Sequence, residues 1–129
     1  MSAGMEKSAT VMALCERHLS IDIRERELHG LLGDLESTLA DRHRWFDLTR
    51  VQRRALAAAQ SFHDLEDELE QLGRESAQLV YALSNTDAFS MSDVISKLEV
   101  VLRVIDPDDY PDAYAVFERA VAELKTVSE

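Results

Sequence analysis

From Val51 to Leu83 apolar residues recur in steps of four and three: Val51, Ala55, Ala58, Phe62, Leu65, Leu69, Leu72, Ser76, Leu79 and Leu83. Only Ser76 interrupts the series, and Gly73 is the one helix-weakening residue inside it. A repeat of about 3.5 residues keeps one edge of a helix facing a neighbouring helix, the geometry of a coiled-coil seam. The spacing therefore predicts a long helix over 49–84, on the order of 50 Å at about 1.5 Å per residue. A second helix must cover its leucine edge, whose transfer free energy is otherwise forfeited. Thr49-Arg50-Val51-Gln52 fits a capping box at the start, and Asn85 suits the residue that closes a helix.

A second stripe precedes the first, through Leu14, His18, Ile21, Glu25, Leu28, Leu32, Leu35, Leu39, Arg42 and Phe46. It predicts a helix over 24–46 and a separate N-terminal helix within 1–20. Gly30 and Gly33 each cost about 1 kcal/mol against alanine in a helix interior. The two stripes are out of phase, since extending the first reaches Arg53 rather than Ala55. A turn between Phe46 and Val51 would give an antiparallel hairpin. A continuous rod is the alternative, because neither Gly nor Pro stands there. Farther on, Ser90 or Ser92 can cap a helix over 91–106 whose Val94, Leu98, Val101 and Ile105 share a face, widened by Ile95 and Leu102. Asp106-Pro107-Asp108-Asp109-Tyr110-Pro111 reads as a rigid turn into a last helix over 110–127, with Tyr114, Phe117, Val121 and Leu124 on one side. The expected fold is all-α: one domain, 1–129, built as a long coiled-coil-like hairpin plus two short C-terminal helices. So long a central helix outruns its short companions, which favours a homodimer.

Composition narrows the function. A single cysteine, Cys15, rules out an intrachain disulfide and suits a reducing, cytoplasmic setting. No apolar run reaches the roughly 18 residues of a membrane span. The stretch Ala9–Cys15 has the look of a signal-peptide core, but Glu16-Arg17-His18 follows it instead of a small-residue cleavage site. The formal charge of −11 is unevenly spread. Residues 1–60 hold nine acids and nine bases, whereas 61–129 hold sixteen acids against five bases. Such a surface repels nucleic acid and anionic lipid.

Against that background the segment from Arg42 to Arg54 stands out. It carries Arg42, Arg44, Arg50, Arg53 and Arg54 together with Trp45 and Phe46. Arginine forks grip carboxylate and phosphate bidentately, and Trp and Arg dominate interface hot spots, so a basic, aromatic corner suits docking of an acidic protein ahead of a nucleic-acid backbone. The competing arrangement has Trp45 and Phe46 plugging the hairpin end while the arginines pair with the chain's own acids. In the acidic run Asp64–Glu70 the leucines occupy the seam, and Glu68 or Glu75 can meet Arg24 or Arg26 across it.

Other constellations fail on their chemistry. Cys15 and His18 have the spacing of half a zinc site, without a second pair to complete it. Glu25 with His29 and His63 with Asp67 are one-turn helix neighbours, short of a di-iron pattern. Counting from Asp106, a calcium loop would need Gly and Glu where Pro111 and Phe117 stand. Nucleophile elbows and phosphate-binding glycine loops are missing too. No metal, cofactor or enzymatic activity is expected.

The stretch Ser90-Met91-Ser92-Asp93-Val94-Ile95-Ser96-Lys97-Leu98, with the acidic helix before it, resembles small uncharacterised all-helical proteins of alphaproteobacteria. The resemblance implies a bacterial cytoplasmic setting and brings no activity with it. The expected function is a non-enzymatic interaction or scaffold module that binds itself and another protein. The alternative is an acidic, antitoxin-like or nucleic-acid-mimicking regulator that blocks a basic site on its target.

Overall fold

The computed structural model describes the backbone of residues 2–128 and the side chains of 10–128. The protein is all-α: five helices, α1 (Ser2–His43), α2 (Arg50–Ala55), α3 (Gln60–Ser84), α4 (Met91–Val104) and α5 (Pro111–Ser128), and no strand among the described residues. Short 3₁₀ turns at Trp45–Asp47 and Ala57–Ala59 flank α2. The chain falls into two compact units, Ile21–Ser76 and, together, Met1–Ser20 with Ala77–Glu129.

The helix boundaries correct three expectations. The break expected between residues 20 and 24 does not occur, and α1 runs through it. No Gly, Pro or cap stands there, and Arg26 bridges Asp22 one turn away at 2.9 Å. Residue 1 of that expected N-terminal helix lies outside the described residues. At its other end α1 stops at His43 rather than 46, because Arg44 takes a left-handed backbone, φ 51°. The long helix expected over 49–84 is broken: Leu56, at φ −73° and ψ 113°, is extended and separates α2 from the Ala57–Ala59 turn and α3.

In the unit of residues 21–76, the α1 and α3 segments run in opposite directions. Arg24 meets Glu68 at one end, and Leu39 shares a buried cluster with Trp45, Ala59 and Phe62 at the other. Leu32, Leu35, Ala40, Leu48 and Leu56 pack around that cluster. Ile21 and Leu28 are fully buried on the same stripe of α1. The apolar repeat read from α1 is thus the side turned inward.

In the other unit, Val11, Cys15, Leu83 and Val100 form the core, with Leu14 and Val80 against it. The connector into α4 is tied by reciprocal caps. Ser90 Oγ accepts from the Asp93 amide at 3.1 Å, and the Asp93 carboxylate accepts from the Phe89 amide at 2.9 Å. Lys97 Nζ donates to the Thr86 carbonyl. These ties, with Ser96 on Met12 and Arg103 on His18, fix which side of α4 turns inward. Of the face expected to pack, Val94, Val101 and Ile105 stay exposed and Leu98 is half-buried; of the residues that widen it, Ile95 is buried, as is Val100, and Leu102 is half-buried. On α5, Val121 is buried, and Tyr114, Phe117 and Leu124 are half-buried beside it.

Candidate docking site at the arginine-rich turn

The turn between α1 and α3 is organised around Trp45, which retains 1% of its surface. Its ring meets Phe62 edge-on at 5.2 Å. Burying a tryptophan removes roughly 150–250 Å² from water, a contribution of about 4–6 kcal/mol as an upper bound. Arg53 holds the other side. Its Nε donates to the Trp45 carbonyl at 3.0 Å, and its guanidinium lies 4.7 Å over the indole. His63 Nε2 then donates to the Arg53 carbonyl at 3.0 Å, while Nδ1 lies 3.2 Å from Glu66. That carbonyl also accepts from the Leu56 amide at 3.3 Å, so His63 adds a second bond at the end of α2 from ten residues downstream.

Thr49 starts α2 as its sequence suggests. The hydroxyl accepts from the Gln52 amide at 3.1 Å, and the Gln52 side chain accepts from the Thr49 amide at 2.9 Å. Arg50 and Arg54 project from α2 into a cleft of about 350 Å³, whose other wall carries Glu36, Glu66, Asp67 and Glu70. Among the described residues, the side chains of Arg42, Arg44, Arg50 and Arg54 form no ion pair or hydrogen bond. Beside them Phe46 keeps 66% and Val51 79% of their surface.

The two arrangements weighed from sequence are therefore divided among residues. Trp45 plugs the turn and Arg53 is spent holding it, so neither is offered to a partner. Phe46 is no plug, because the 3₁₀ turn aims consecutive side chains to different sides. Of the seam residues, Phe62 and Leu83 are buried, and Leu65, Leu69, Leu72, Ser76 and Leu79 are half-buried along α3. Val51, Ala55 and Ala58 precede α3 and are exposed. Reading His63 with Asp67 missed its role. The clue was its place next to seam residue Phe62, on the inward side of the helix.

Along the helices, Arg24 clasps Glu68 bidentately, Nε at 2.6 Å and Nη2 at 3.0 Å. These bonds hold the Glu68 carboxyl below its ordinary range, and the same contacts, with Glu27, keep the Arg24 guanidinium more firmly protonated. In the other unit, Cys15 is buried, and burial pushes its thiol pKa up, only partly offset by Arg103. His18 Nδ1 accepts from Arg103 Nε at 3.2 Å. Among the described residues no three His, Cys, Asp or Glu side chains gather as a metal site needs. No described helix is long and apolar enough to cross a membrane. No protein-family model matches the chain, and neither a curated protein nor a solved structure shows significant similarity to it.

Proposed function

We propose that the protein is a non-enzymatic interaction module, a helical hairpin whose arginine-rich turn docks an acidic surface on a protein partner. The supporting observation is the set of four unpaired arginines beside exposed Phe46 and Val51. Between Asp41 and Arg54, five arginines face two aspartates, a local formal charge of +3 in a chain of −11. Opposite charge at one corner orients an approaching acidic partner, and the flanking apolar side chains then exclude water from the guanidinium–carboxylate pairs. A bacterial cytoplasm is the setting we infer, on the lone Cys15 and the resemblance of residues 90–98.

A second reading, an acidic regulator that occupies a basic site, draws on the exposed Asp67 and Glu70 and the sixteen acids of residues 61–129. One experiment separates the two: affinity capture from the producing cell with three baits. Under the proposal, the partner held by wild type is lost with Arg50→Glu/Arg54→Glu, its affinity falling about 100-fold for two interfacial charge reversals. It is retained with Glu66→Gln/Asp67→Asn/Glu70→Gln. The reverse pattern replaces the proposal with the acidic-regulator reading, and equal capture by all three overturns both.

A further inference from the structure

His63 stands between two oxygens that can only accept. Its Nε2 lies 3.0 Å from the Arg53 carbonyl and its Nδ1 3.2 Å from the Glu66 carboxylate. A neutral imidazole carries one N–H, and the protonated ring carries two. Only the charged ring therefore satisfies both contacts, whereas a neutral ring sets a lone pair against one of the oxygens. The two acceptors are unequal. The Arg53 carbonyl is fixed in the backbone at the end of α2, where the Leu56 amide also reaches it. The Glu66 side chain keeps 50% of its surface and can turn to water. On losing a proton the ring thus keeps Nε2–H for the carbonyl, and Glu66 is the partner that leaves. The ring itself is buried, packed on Trp45 at 6.0 Å and Phe62 at 5.8 Å between centroids, and does not follow it.

We propose that His63 is a proton-operated latch on the arginine-rich turn: its charged ring holds Glu66, and its neutral ring releases that carboxylate to Arg50 and Arg54. The charged groups of the cleft that the ring lines come from three elements. Glu36 belongs to α1, Arg50, Arg53 and Arg54 to α2, and Glu66, Asp67 and Glu70 to α3 itself. Arg53 is committed to the Trp45 carbonyl and indole, and Glu70 to Arg74 at 2.8 Å. Among the described residues, the side chains of Glu36 and Asp67 form no ion pair or hydrogen bond. Glu66 is thus the carboxylate whose place the ring decides, and the unpaired guanidinium groups of Arg50 and Arg54 are what attract it once released. Imidazole changes charge between about pH 5 and 8. As pH falls through that range the turn gains the charge of the ring, and Glu66 is kept from the arginines. Both changes strengthen the hold on an acidic surface. This consequence for a partner rests on the docking reading above, whereas the latch itself does not.

Emission from Trp45, the single tryptophan, reads the latch, because an imidazolium this close quenches an indole. In the full chain the emission should fall as pH is lowered from about 8 to about 5.5, with circular dichroism unchanged, and His63→Gln should abolish the change. Emission that stays flat over that range, or a transition that survives His63→Gln, overturns the proposal. Where the buried substitution costs the fold, Glu66→Gln, on a half-exposed side chain, decides instead. The probe is an end-labelled hexa-aspartate peptide, ionised throughout this range and followed by fluorescence anisotropy. Wild type should bind it about fivefold tighter at the lower pH than at the higher. At the higher pH Glu66→Gln should match, to within about twofold, wild type at the lower pH, since both leave the turn with one net charge and unscreened arginines. Equal wild-type affinity at the two pH values overturns the proposal, and so does a Glu66→Gln that binds no better than wild type at the higher one. A peptide bound at neither pH removes the docking reading and the regulatory consequence with it, while the emission titration still decides the latch.

Discussion

Gly30 and Gly33 lie inside α1 and Gly73 inside α3, and a Cβ added at any of the three meets nothing within 4 Å. A helical glycine loses more backbone freedom on folding than alanine does, a difference of about 0.5–1 kcal/mol in a helix interior. Usually a steric term offsets part of that gain. Here open space removes it, so each Gly→Ala should stabilise the protein by the full amount and the triple variant by about 2 kcal/mol. All three positions belong to residues 21–76, as does Trp45. Emission from this single tryptophan therefore reports on the unit in which the substitutions act. In equilibrium urea unfolding, with a slope of about 2 kcal/mol/M, the triple variant's midpoint should rise by roughly 1 M. A midpoint that stays put or falls in any single variant would refute the reasoning. That face of the helix would then have to be in contact with something outside the chain, or the backbone there would not be helical.

Two titratable groups give further expected outcomes. Because the Arg24 contacts lower the Glu68 pKa, the pair's contribution is present above the ordinary carboxylate range and lost as pH falls through the folded value. The stability gap between wild type and Arg24→Ala should thus narrow in urea titrations as pH drops below about 4.5, and a gap that widens contradicts the assignment. Cys15, buried with a raised pKa, should react with a maleimide on the order of 100-fold slower in the native chain than in urea. Native and unfolded rates that agree would place the thiol at the surface.

The elements legible in the sequence are those written in local or periodic signals. The stripe from Leu14 to Leu39 marked the inward side of α1, and the capping box at Thr49 and the cap at Ser90 marked where helices begin. The break at Leu56 left no such trace. The four-three stepping continues through Ala55 and Ala58, but alanine satisfies a seam and solvent equally, so the pattern there carries little information. At the end of α2 stands a hydrogen bond from His63 to a carbonyl ten residues earlier, a contact with no periodicity. Helix α4 shows the same limit from another side. Its apolar residues span more than one face, and the Asp93, Lys97 and Arg103 contacts choose between them. In the turn, sequence brought Trp45 and Phe46 forward together. Their separation into plug and exposed side chain follows the left-handed backbone at Arg44, a conformation uncommon for a residue other than glycine.

Charge placement constrains what the proposed docking surface at the arginine-rich turn can accept. Against another copy of this −11 chain, electrostatics can only steer the arginine turn toward the acidic stretches, a head-to-tail contact that would propagate into filaments rather than close. The chain's own carboxylates blunt that tendency. Glu36, Glu66, Asp67 and Glu70 stand across the cleft from Arg50 and Arg54 without pairing with them, so a second copy brings acids to a turn already partly screened by its own. Under the proposed docking, a partner would have to present a denser or better shaped acidic surface than this protein does.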